Sequence, residues 1–221
     1  MTLSRAVLLM SGPALALCCG SAPAQPAVQA GKPMMTLQMP ATPDPARVTL
    51  DPRTSALMVL DYVEDICNRQ PSCKGQMLPA MAPFMERVRN AGLVVAYGTR
   101  EQNMTKWLKE VAPAPNDIRI MNTAQDRFYD TDLDKALKAK GLRTLILVGW
   151  KVSGSVTYTS VGAMARGYTV VIPMDTTSAG SGYETTIGFY NVLNSGNANL
   201  ANEPLKPRAV TLTRTDMITF Q

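Results

Sequence analysis

Four short apolar runs recur along the chain: "ALMVLD" at 56–61, "LVVAYGT" at 93–99, "TLILVGW" at 144–150 and "YTVVIPMD" at 168–175. Each is too short for a core helix and is apolar on both faces, as a strand covered on both sides must be. Between them lie segments with apolar residues at helical spacing. "GQMLPAMAPFMERVRNAG" (75–92) carries Met77, Met81, Phe84, Met85 and Val88 as a core stripe and stops at Gly92, although Pro79 and Pro83 blur its start. "DTDLDKALKAKG" (130–141) has acids first and lysines last, which suits a helix dipole. "SVTYTSVGAMARG" (155–167) and "YETTIGFYNVLNSG" (183–196) read as two more helices, and "MTKWLKEV" (104–111) as a short one. "DIRIM" (117–121) and "AVTLTRT" (209–215) add strands. Strands alternating with helices predict a three-layer α/β/α sandwich with a mostly parallel central sheet.

In such folds ligands bind beyond the carboxyl ends of the strands. That rim gathers Asp61, Thr99, Arg100, Asn122, the 149–155 turn and Asp175. The 221 residues, 46% of them apolar, suffice for one core domain. The net charge of +5 comes from scattered basic residues and aromatics are 6%, so no nucleic-acid partner is expected. The chain has no histidine. That excludes a Ser-His-Asp triad, a Cys-His pair and any His-ligated metal, so neither metal nor cofactor is expected.

Residues 1–24 read as an export signal. Arg5 precedes the apolar "AVLLMSGPALALCC", too short to span a bilayer, and "SAPA" offers a cleavage site before Gln25. A lipoprotein would use Cys18 or Cys19, but Leu17 is bulkier than that signal prefers. The mature protein is expected in the periplasm or secreted, with no membrane span. Residues 25–46, rich in Pro, Ala and Gln, read as a flexible lead-in, and 47–221 as the domain. Cys67 and Cys73 enclose the polar turn "NRQPS", and in an oxidising compartment they are expected to form a disulfide.

"LDPRTSALMVLDYVEDIC" (50–67), "NAGLVVAYGTRE" (90–101) and the block from "DRFYDTDLDKAL" through "LILVGWKVSGSV" to "GYTVVIPMD" (126–175) resemble the isochorismatase-like, or cysteine hydrolase, superfamily. The resemblance covers residues 48–195. It implies a hydrolase of a small molecule, in a dimer or larger assembly. The amidases of that family use an Asp, a Lys and a Cys nucleophile, with two backbone N–H groups at a cis peptide holding the oxyanion. Carried over, the Asp falls on Asp61, the Lys on Asn122 and the Cys on Ser155. The oxyanion donors fall on the N–H groups of Lys151 and Ser155, and the cis bond on Trp150–Lys151. The Gln that usually follows the Asp by two residues is Val63. With the Lys and Cys replaced, a standard cysteine amidase is not expected.

Asp61 is the acid/base candidate, or else a structural charge on the rim. Ser155 is a nucleophile, or a helix cap. Lys151 and Arg100 are the cations that could reach Asp61, Trp150 and Arg100 would line the pocket, and Asp175 would order a loop. Three functions stay open: an isochorismatase-like hydrolase with Asp61 as acid/base, a binding protein on an inactive scaffold, and a Ser155-dependent amidase or esterase.

Overall fold

The six residues of Ser55–Leu60 alternate between two cores. Ala56, Met58 and Leu60 face one, Leu57 and Val59 the other, and all are buried. A strand with both faces covered has a helical layer on each side. The computed structural model of the protein describes residues 36, 38–100, 103, 104 and 106–221. Its strands are β1 (Val48–Leu50), β2 (Ser55–Leu60), β3 (Val94–Thr99), β4 (Ile118–Met121), β5 (Thr144–Trp150), β6 (Thr169–Pro173), β7 (Thr177–Ser178), β8 (Val210–Thr213) and β9 (Ile218–Phe220). The helices are α1 (Glu64–Cys67), α2 (Leu78–Asn90), α3 (Leu133–Lys138), α4 (Thr157–Ala165) and α5 (Gly182–Leu193).

The main sheet runs β4-β3-β2-β5-β6-β8, with β7 extending beside the end of β5, and every neighbouring pair is parallel. Met77, Met81, Phe84, Met85 and Val88 of the α2 stripe cover one face against Leu57, Val95 and Val148. Leu133 and Leu137 of α3, Ala163 and Met164 of α4, and Phe189, Val192 and Leu193 of α5 cover the other. The three-layer expectation holds. β1 and β9 form a separate parallel pair from the two ends of the domain, and the sequence pattern did not disclose it.

The described residues of the segment 104–111, all but 105, do not form an α-helix. Its backbone is committed to the chain after β2: Lys106 accepts from the N–H of Glu64, and the N–H of Leu108 donates to Tyr62. Trp107 pairs with Val63 across an antiparallel bridge, and Lys109–Val111 form a 3₁₀ turn. An eight-residue helix has little stability of its own, so tertiary pairing overrides it. Val63 is fully buried by this contact.

Pro40–Gln221 form one unit. The last residues of the lead-in are tied down: Tyr190 donates to the carbonyls of Pro40 and Ala41, and the N–H of Ala46 to Leu212. The signal-peptide reading, 1–24, falls outside the described residues. No helix among the described residues is long and apolar enough to cross a membrane.

Candidate active site

Asp61 closes β2 at φ 55°, a left-handed conformation uncommon for any residue but glycine. The turn drives its carboxylate into the rim, where it is 5% exposed. Thr99, at the end of β3, donates to Oδ1 at 2.7 Å. Ser155 donates to Oδ2 at 2.9 Å, and Arg127 Nη2 donates to the same oxygen at 2.8 Å. Nη2 also reaches Ser155 Oγ at 3.4 Å. The serine hydroxyl therefore accepts from a guanidinium while donating to a carboxylate.

Arg127 is the cation of the site, and neither sequence candidate, Lys151 nor Arg100, takes that place. The Lys151 ammonium pairs with Glu184 on α5, which also accepts from Ser153 at 2.6 Å. Asn122, at the position of the family's Lys, has no hydrogen bond to Asp61 among the described residues. It supports Arg127 instead: Arg127 Nη1 donates to Asn122 Oδ1 at 2.9 Å and to the carbonyl of Ala124 at 2.9 Å. Asn122 Nδ2 in turn donates to the carbonyls of Asp126 and Tyr129, both at 2.9 Å. The asparagine holds the loop after β4 in the shape that sends Arg127 inward. Arg127 is 3% exposed, and its Nε makes no hydrogen bond among the described residues.

Two glycines make this geometry feasible. A Cβ on Gly98 would lie 2.9 Å from Arg127 Cγ, so the arginine can cross β3 only over a glycine. Gly149 has φ 129°, and a Cβ there would lie 1.9 Å from the Leu60 carbonyl oxygen. It lets β5 lie against β2 where both strands deliver their site residues.

After β5 the peptide bond Trp150–Lys151 is cis, where the resemblance puts it. The turn Val152–Val156 bends at Gly154 and leads into α4, with Ser155 facing the cavity. The Glu184 carboxyl that braces this turn is held down from the usual 4.5 to about 2, first by the Lys151 hydrogen bond, then by Ser153. A carboxylate lowered on folding adds stability above its unfolded pKa and loses it as pH falls to the folded one. Wild type is therefore expected to be more stable than Glu184→Gln at neutral pH, with the gap closing between 4.5 and about 2. Thermal unfolding across pH measures this; a gap that does not change with acid would show that the brace adds nothing.

A cavity of about 310 Å³ opens over the cluster. Its walls come from the chain after β2 (Asp61, Ile66, Arg69), after β3 (Arg100, Asn103), after β4 (Thr123, Gln125, Arg127) and from the last residue of β5 onward (Trp150, Lys151, Ser155). Trp150 and Arg100 thus line it. Asp175 does not; it accepts from Thr215 N and Oγ1 and orders a loop. Cys67 and Cys73 are joined in a disulfide, their Cα atoms 5.1 Å apart, which pins the loop carrying Arg69. Closing so short a loop is worth about 2 kcal/mol in the chain-entropy model. Among the described residues no group of three or more Cys, Asp or Glu is placed to hold a metal.

Residues 55–201 match the model of the isochorismatase domain. Ureidoacrylate amidohydrolase RutB of Caulobacter vibrioides strain NA1000 is 23% identical over 205 residues, covering 71% of this chain and 85% of that protein. The same enzyme of Caulobacter segnis is 24% identical over 161 residues, and the match spans 66% of its length and 51% of this chain. N-carbamoylsarcosine amidase from Thermoplasma acidophilum superposes with a TM-score of 0.60 at 22% identity, over 74% of this chain and 97% of that one. At that identity the superposition speaks for the fold alone. With its domain match, its parallel sheet and an Asp directly after β2, the chain belongs to the isochorismatase family of hydrolases.

Proposed function

We propose that the protein hydrolyses a small molecule at the cluster of Asp61, Arg127 and Ser155. The carrying observation is the Ser155 hydroxyl, which donates to the Asp61 carboxylate at 2.9 Å while facing the cavity. A hydroxyl beside a carboxylate is a nucleophile beside its base. Arginine cannot release a proton in a protein, so Asp61 is the member of the cluster that can serve as base to the Ser155 hydroxyl. Arg127 supplies fixed charge and holds Asp61 in place.

In this reading Ser155 Oγ attacks a carbonyl carbon as its proton passes to Asp61 Oδ2. The carbonyl oxygen takes the negative charge and is met by the N–H groups of Lys151 and Ser155. Collapse breaks the bond to the leaving group, which takes the proton from Asp61 and leaves an acyl-serine. Water then attacks the acyl carbon, giving its proton to Asp61. Asp61 returns that proton to Ser155 Oγ as the acid product departs. RutB and the carbamoylsarcosine enzyme are an amidohydrolase and an amidase by name, which favours an amide or ester carbonyl as the group attacked.

A fluorophosphonate probe, read by intact mass and peptide mapping, is expected to modify Ser155 in wild type and nothing in Ser155→Ala. An unlabelled wild type that copurifies with an intact ligand would point to a binding protein on this scaffold. We further assign the protein to the outside of the cytoplasm. The disulfide and the export-type N-terminus support this. Recovery of a mature chain beginning at Gln25 from the periplasm or medium is the expected result.

A further inference from the structure

Six charged residues line the cavity, and four of them are already compensated. Asp61 has Arg127 at 2.8 Å, Asp65 has Lys106 at 2.9 Å, and Lys151 has Glu184. The two that remain are Arg69 and Arg100, which make no ion pair among the described residues. Arg69 acts on the Asp65 carboxyl only through space, as the weakest influence on it, behind the Lys106 hydrogen bond. Beside them Asn103 lines the cavity at 9% exposure, and its side-chain amide has no hydrogen bond among the described residues. An amide on a cavity wall offers a ligand both a donor and an acceptor.

These three side chains come from two separately held walls. Arg69 lies inside the disulfide ring, while Arg100 and Asn103 follow β3. A guanidinium is a planar fork matched to the two oxygens of a carboxylate or phosphate. We propose that the substrate is a compact anion whose carboxylate or phosphate is held by Arg69 and Arg100, with Asn103 as a neutral partner, while its carbonyl lies against Ser155. The proposal rests on the cavity being the substrate site. Its size, about 310 Å³, is at the small end for ligand pockets and suits a short acid.

Binding separates this proposal from the catalytic reading, because it needs no turnover. The probes are three matched pairs, succinate and succinamide, glutarate and glutaramide, benzoate and benzamide, with inorganic phosphate alongside. Calorimetry at low ionic strength is expected to show at least one acid binding about tenfold or more tighter than its amide. Arg69→Gln/Arg100→Gln should erase that preference, and Asn103→Ala should weaken the acid without restoring the amide. Both arginines are exposed, so the double variant is expected to fold, and a near-ultraviolet circular dichroism spectrum matching wild type would verify it. Phosphate binding lost in the same variant supports the anion site with phosphate as its group. Acids and amides binding alike, no probe binding at all, or a preference that survives the double variant would each overturn the proposal. Loss of Ser155 labelling in wild type would instead sink the catalytic reading.

Discussion

Asp61→Asn is expected to lower fluorophosphonate labelling of Ser155, and turnover of any ester or amide the protein cleaves, by about 10²–10⁴-fold. Asparagine has the shape of aspartate but cannot take a proton. Asp61 uses both oxygens as acceptors, Oδ1 from Thr99 and Oδ2 from Arg127 and Ser155. An asparagine has one acceptor oxygen. Its oxygen will face Arg127 and Ser155, and its NH₂ will face Thr99, whose hydroxyl can turn to accept. The site geometry can therefore survive while the base is lost. Near-ultraviolet circular dichroism checks that it does. A folded variant that labels at the wild-type rate would remove Asp61 from the proposed mechanism and leave it a structural charge.

Arg127→Met is expected to cost about 3–5 kcal/mol of stability, read as a lower urea midpoint. The reason is the charge left behind. Arg127 and Asp61 are 3% and 5% exposed, and removing the guanidinium strands a buried carboxylate. The loop after β4 would lose its Nη1 bonds to Asn122 and Ala124 as well. The double variant Asp61→Asn/Arg127→Met should be more stable than Arg127→Met, because neither charge is then buried alone. A surface-type loss below about 1 kcal/mol would mean that water screens the pair and that Arg127 does not organise the site. Arg127→Lys should recover part of the stability but little labelling. A lysine has no second nitrogen with which to hold Asn122 and Ala124 while facing Asp61.

Asp61 and Ser155 became candidates through the family resemblance, which carries its Asp and its Cys onto them. One follows an apolar strand, and the other stands six residues after Gly149, where the resemblance puts the family's thiol. The disulfide was legible for a local reason, two cysteines six residues apart in a chain with an export-type start. Arg127 carried no such mark. It stands beside Phe128, in a segment that periodicity describes only as a loop. What makes it the site's cation is the path of its side chain over Gly98, a residue on a different strand. Lys151 looked closer to the chemistry, yet Glu184, thirty-three residues further along, draws it to the other wall. The helix expected at 104–111 failed through a similar cause, since Trp107 and Leu108 are buried by pairing with residues 62–64.

The sequence by itself determined the alternation of strands and helices, the two-sided burial of the sheet and the rim on which a site must lie. Those follow from side-chain periodicity, which is local and needs no partner. The resemblance added the expectation that a carboxylate, Asp61, and a hydroxyl, Ser155, stand where the family keeps its acid/base and its thiol. The tertiary structure alone decided which cation meets that carboxylate, which charges are cancelled and which two arginines stay uncompensated. Those are questions of distance between side chains far apart in the chain. A charge separated from its partner by 66 positions has no periodicity through which a sequence can reveal the pair.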